Sequence, residues 1–211
     1  MSAETDGRKK SRAKTREKIL KVATKLFARK GFDGARVDEI AKKAGVNKAL
    51  IYYYFKSKEE ILEEIMKVFL EESLRRKKKM MERHVQIDKK ELIRLSIERI
   101  FDLYKGNEDV LRIIITEELK SEKKQWPLFQ VLDMGLAEGL KMAQDVGLGI
   151  KNKDRIVRAA FYFGFVPIAF FTLLKDEWAR YYNSDKNKDQ KEFIDILKKT
   201  YVRFLLEELQ E

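Results

Sequence analysis

The 211-residue chain contains no cysteine, two prolines, ten glycines and one histidine, His84. Without thiols there is no disulfide framework, no thiolate-bound zinc or iron–sulfur cluster and no cysteine nucleophile, and one histidine cannot build a histidine-rich metal site. No G-x-S-x-G elbow, glycine-rich phosphate loop or H-E-x-x-H occurs either. These gaps point away from an enzyme and leave no cofactor or metal to expect; His84, in the basic stretch RRKKKMMERH, is expected at the surface. The amino terminus has no apolar core of the kind a secretory leader carries, so a cytoplasmic protein is expected. Its longest nearly apolar stretch, Phe161 to Leu174, is shorter than the roughly 18–20 residues of a membrane span and reads as a buried helix, with no membrane partner.

What the chain does have is charge and helical periodicity. Lysine and arginine number 46 against 35 acidic residues, a formal net of +11. The excess is local: residues 1–60 hold 17 basic against 8 acidic side chains, residues 61–211 hold 29 against 27. A basic first quarter suggests a polyanionic partner there and a different task for the rest. Few helix breakers and no apolar–polar alternation predict an all-α fold. Helices are expected at about 57–83, 88–105, 108–120, 123–146, 153–181 and 188–209, which with three before residue 56 makes nine. Residues 1–11 have too few apolar side chains to anchor and are expected to be a disordered basic tail.

Within residues 12–56 the pattern is that of three helices. Ile19, Val22, Ala23, Leu26 and Phe27 recur at helical spacing on a first helix that Gly31 stops. Val37, Ile40, Ala41 and Ala44 mark a short second helix ended by Gly45, and Asn47 is placed to cap a third. Two short helices joined so tightly form a helix-turn-helix. At 100° per residue the third helix turns Lys48, Ala49, Tyr52 and Tyr53 outward and Leu50, Ile51 and Tyr54 inward. The outward set suits a major groove: lysine donates to base acceptors or phosphate, alanine meets a thymine methyl, and tyrosine hydroxyls reach phosphate. Arg36 and Asn47 flank it and join the candidate DNA contacts. Ser57 with Glu60 forms a capping-box pattern for a fourth helix, in whose first turn Lys58 is expected to clamp a phosphate.

These residues also carry a resemblance. The segment Thr15 to Leu62, with RKGF, EIAKKAGV, LIYYYF and KSKEE in order, resembles the DNA-binding domain of the TetR family of bacterial transcriptional regulators. The resemblance implies that Lys48, Ala49, Tyr52 and Tyr53 contact DNA and that Lys58 contacts phosphate. It departs at Ala35-Arg36, where the family often has threonine, and at Tyr53, which replaces a frequent histidine. It further implies nine helices, with residues 57–211 forming a helical ligand-binding and dimerisation domain whose last two helices pack against a twin. The expected function is that of a repressor released from a palindromic double-stranded DNA operator when a small, largely apolar or aromatic effector binds. Phe101, Tyr104, Trp126, Phe129, Tyr162, Phe163 and Phe165 are candidates to line the effector pocket, with Pro167 expected to kink its helix and open space. The alternative is a DNA-architectural protein that binds by charge without a ligand response.

Overall fold

A computed structural model of the chain describes residues 2–81, 91, 101–102, 104–120, 128–145 and 147–210. The architecture is all-α. Helix α1 (Ser2–Gly34) is followed by α2 (Val37–Ala44), α3 (Lys48–Tyr54) and α4 (Lys58–Met81). After these come α5 (Glu108–Lys120) and α6 (Leu128–Asp145). Helix α7 (Lys153–Tyr182) and helix α8 (186–208) complete the set. Most of the helix expected at 88–105 lies outside the described residues, as do Trp126 and His84. A two-residue antiparallel ladder pairs Gly149 with Gln210 and Ile150 with Leu209, pinning the carboxyl end beside the start of α7.

Residues 2–11 are helical in the structure rather than the expected disordered tail. They hold no proline and many good helix formers, so once the apolar stripe below them has nucleated α1 the helix propagates back toward the amino terminus. At the other end α1 breaks at Gly31, whose φ of 73° and ψ of 163° belong to a region open in practice to glycine alone.

The core is continuous. Phe27, Leu26, Ile19, Ile40, Ile51, Phe55, Ile61 and Leu62 are fully buried where α1 to α4 meet, and Leu111, Ile113 and Ile168 extend the core into the second half. Burial of each such side chain contributes about 1.5–3 kcal/mol. Helix α5 lies along α1, which makes it the main seam between the two halves.

Pro167 does not break α7. The turn before it, Ala160–Phe165, is π-helical, and the Val166 N–H reaches the carbonyl of Phe161 five residues back. That wider turn accommodates a ring that has no N–H to give and would collide with the carbonyl four residues earlier. A second π-helical turn, Lys198–Val202, lies in α8. The two turns touch: a Cβ on Gly164 would sit 3.0 Å from Tyr201 Cε1, so only glycine lets the helices approach this closely. By length and composition α7 could cross a membrane; in the fold its Ile168, Ala169, Thr172 and Ala179 are buried against other helices.

Candidate nucleic-acid interface

The interface is built around α2 and α3. Gly45, at φ 63° and ψ 38°, ends α2 in the left-handed region, its N–H directed to Ala41 and Lys42 and the next N–H, that of Val46, to Ala41 at 3.1 Å. Two residues on, the Asn47 side chain accepts the Leu50 N–H at 2.7 Å and starts α3. This short, doubly capped turn fixes the angle between the helices. Ile51 is buried and Tyr54 half-buried, while Lys48, Ala49, Tyr52 and Tyr53 face solvent, as the helical wheel predicts. The Ser57 hydroxyl accepts the Glu60 N–H at 3.2 Å, and Glu60 reaches back to the Lys56 N–H, giving α4 its cap.

Arg36, exposed and free of any capping bond, sits at the mouth of a depression of about 490 Å³ that Lys48, Tyr52, Lys56, Lys58, Asp33 and Asp38 also line. Asn47 is thus a cap first, and its side-chain oxygen is already engaged. Two partners of the outward face give no signal in the sequence. Arg12, from the amino-terminal stretch of α1, donates to the Tyr53 hydroxyl and lies 5.2 Å from the ring centre. Asp38 pairs with Lys48, and this hydrogen bond holds the lysine's pKa above its usual value.

Lys58 corrects one expectation. Its ammonium does not point outward as a phosphate clamp but turns into the α1–α2 turn. There it donates to the carbonyls of Phe32 at 2.8 Å, Ala35 at 3.2 Å and Asp33 at 3.5 Å, and lies 4.3 Å from the centre of the Phe32 ring. Three donors meet three carbonyls. The helix break at Gly31 exposes those carbonyls, and the lysine that begins α4 covers them.

The same turn is held from the far side by α5. Buried Glu117 accepts the Phe32 N–H at 3.2 Å and pairs with Lys120 at 2.9 Å, and Lys120 also faces Asp33 at 3.7 Å. The hydrogen bond to Glu117 raises the Lys120 pKa. Residues 31–35 are therefore gripped by Lys58 from α4 and by Glu117 and Lys120 from α5.

Of the aromatic residues expected to line a pocket, the described ones divide between the core and the surface. Phe101, Tyr104 and Phe165 are buried and packed edge to face, Phe101 against Phe171 and Phe193, Tyr104 against Phe165 at 6.2 Å. Burial pushes the Tyr104 hydroxyl well above its ordinary pKa. Phe129, Tyr162 and Phe163 are instead more than half exposed. Helical spacing places an aromatic on a face without saying whether that face meets the core or the outside.

Comparison with known proteins agrees with this arrangement. The family profile described as bacterial regulatory proteins, tetR family, matches residues 19–65. The chain is 32% identical over 142 residues to the HTH-type transcriptional regulator YdgC of Bacillus subtilis, across 63% of this chain and 67% of YdgC. It is 32% identical over 106 residues to the HTH-type transcriptional repressor NicS of Pseudomonas putida, and 29% over 110 residues to the regulator YerO of Bacillus subtilis. The matches cover 50% and 52% of this chain but only 49% of NicS and 38% of YerO. Among solved structures, FadR of Bacillus subtilis in complex with stearoyl-CoA superposes with a TM-score of 0.57 at 23% identity, over 86% of this chain and 96% of FadR. A regulator from Aquifex aeolicus superposes at 0.51 with 21% identity, over 90% and 97%. The chain belongs to the TetR family of DNA-binding bacterial transcriptional regulators.

Proposed function

We propose that this regulator is a cytoplasmic homodimeric repressor that reads a palindromic operator through α3 and lets go when a small, largely apolar molecule binds residues 57–211. The observation that carries the reading is the outward face of α3, Lys48, Ala49, Tyr52 and Tyr53, presented by a turn capped at both ends over a fully buried Ile51. Arg36, Asn47 and Lys58 act beside it: Arg36 at the edge of the groove, Asn47 and Lys58 by fixing the helices that enter it. One such helix reads only a few base pairs, and a two-fold pair reads half-sites about 34–36 Å apart.

Dimerisation through the last two helices is supported by an unpartnered apolar stripe. Phe163, Phe170, Leu174, Trp178 and Tyr181 on α7 and Ile196 on α8 are each about half exposed or more. A stripe of this kind on a soluble protein marks a contact surface. An apolar effector is supported by the aromatic interior around Phe101, Tyr104 and Phe165, and by the fatty acyl-CoA in the similarly folded FadR. The seam between α5 and α1 offers the route by which such binding reaches α3. A coupling of ~1–3 kcal/mol would weaken operator binding about 5- to 150-fold.

The test is selection of genomic fragments by the purified chain at physiological salt, followed by sequencing and by a repeat with stearoyl-CoA or free fatty acid as probe. Enrichment of a few near-palindromic sites, lost on adding the probe, is the expected result. Retention of all fragments alike with a steep salt dependence would instead identify a DNA-architectural protein.

A further inference from the structure

The inner face of α1 changes character along its length. Ile19, Ala23, Leu26 and Phe27 are buried on it, and one and two turns before Ile19 the same face carries Arg16 and Arg12. Both guanidiniums lie against aromatic rings around α3, Arg16 at 5.2 Å from the centre of Phe55 and Arg12 at 5.2 Å from the centre of Tyr53. They differ in what neutralises them. Arg16 is paired with Glu64 at 2.7 Å. Arg12 is exposed, pairs with no carboxylate among the described residues, and donates one N–H to the hydroxyl of Tyr53, itself 61% exposed on the outward face of α3.

This contact leaves donors pointing outward. Arg12 keeps the rest of its N–H fork, and because the Tyr53 hydroxyl accepts from Arg12 its own proton is turned away from the guanidinium. An anion in front of the pair takes a charge-assisted bond from the arginine and a second bond from the tyrosine. A backbone phosphate is the anion that this place on the molecule would meet, and the planar guanidinium fork fits its oxygens. The ring beneath the guanidinium holds it in place, so less freedom is lost on contact than for an unsupported lysine. Lys58, which the resemblance assigns to phosphate, has its donors on three carbonyls instead. Resting on the reading of α3 as the groove-entering helix, we propose that Arg12 and Tyr53 grip one backbone phosphate between them in each half-site. The grip crosses from α1 to α3 and sets the register at which α3 enters the groove; it carries affinity for DNA at large and reads no base.

The test compares the full chain with Arg12→Ala, Tyr53→Phe and the two together, and with Lys14→Ala, an exposed cation on the opposite face of α1, as a control of the same charge change. Binding to the selected operator and to a random duplex is measured across a salt series. Arg12→Ala is expected to weaken both duplexes alike, about 10- to 100-fold, and to make the log–log salt slope shallower by ~1. Tyr53→Phe keeps the ring and is expected to cost about 3- to 10-fold with the slope unchanged. Arg12→Lys, which keeps the charge without the fork, is expected to keep the slope and recover part of the affinity. Operators carrying one neutral methylphosphonate linkage, moved along each strand, then locate the phosphate: at one linkage per half-site the change weakens the unmodified chain and leaves the doubly substituted one as it was. Melting curves check that all variants fold. If Arg12→Ala matches Lys14→Ala in slope, or no linkage is felt by the unmodified chain and ignored by the double variant, the inference is overturned while the operator reading stands. If the unmodified chain selects no site, the operator reading falls, and the slope of Arg12→Ala on the random duplex decides the grip by itself.

Discussion

The backbone N–H of Phe32 donates to the carboxylate of Glu117 at 3.2 Å, across 85 residues of chain. Among the described residues few side-chain bonds reach so far, and this one joins the turn ahead of α2 and α3 to the last turn of α5. Both ends are buried, so neither can turn to water when the other is removed. Glu117→Ala is expected to cost about 1–3 kcal/mol, because it removes a buried acceptor from the Phe32 N–H and leaves Lys120 without its closest partner. Glu117→Gln keeps an acceptor oxygen and should recover most of that. Urea unfolding of the two variants decides the point, and equal losses would show that the bond itself is unimportant.

Lys58→Ala separates a structural lysine from a phosphate clamp. With three carbonyls and the Phe32 ring as its partners, its removal is expected to lower the melting temperature and leave the salt dependence of DNA binding unchanged. A fall in the salt slope by ~1 with unchanged melting would restore the clamp.

Gly31→Ala is expected to be among the more damaging small substitutions, at about 1–3 kcal/mol. The position combines a backbone conformation closed to other residues with a Cβ site 2.9 Å from Lys120 Nζ. Gly7→Ala in the same helix, where a Cβ meets nothing within 4 Å, serves as the control and should be neutral or slightly stabilising. Thermal denaturation of both reports the difference.

Leu174→Glu tests the proposed dimer. The side chain is 49% exposed, so the change should leave the subunit folded while placing two like charges in an apolar seam. Sedimentation velocity is expected to show a dimer for the unmodified chain and a monomer for the variant at the same concentration, with operator affinity falling in parallel. A variant that stays dimeric would move the interface elsewhere.

Much of the DNA-reading half is legible in the sequence because its boundaries are set by near neighbours. Gly45, Asn47 and the Ser57–Glu60 pair act within four residues, and a two-turn wheel suffices to sort Ile51 from Tyr52. The direction of Lys58 and the pairing of Asp38 with Lys48 are not legible, since both depend on how two helices cross. Glu117 carries no local signal at all; it is one acid among 35 until α5 is laid on α1. Pro167 shows the same limit from the other side. Its sequence effect is a break in the helix, yet the chain answers with a wider turn seated against a partner helix that is widened at the same level. The period of α7 does not separate buried Phe165 from exposed Tyr162 and Phe163, because inner and outer faces both carry aromatics.

The grip on residues 31–35 bears on how this regulator can be recombined. A chimera that grafts residues 1–56 onto the sensing half of another protein would carry the Phe32 donor but neither Glu117 nor Lys120, and would lose Lys58 as well. Such a graft is expected to fold poorly or to ignore its new signal, whereas one cut after residue 58 with acid and lysine transplanted at the matching positions of the foreign helix keeps the latch whole. For this protein the exchangeable cassette is a discontinuous set of residues, and a single cut point in the chain does not define it.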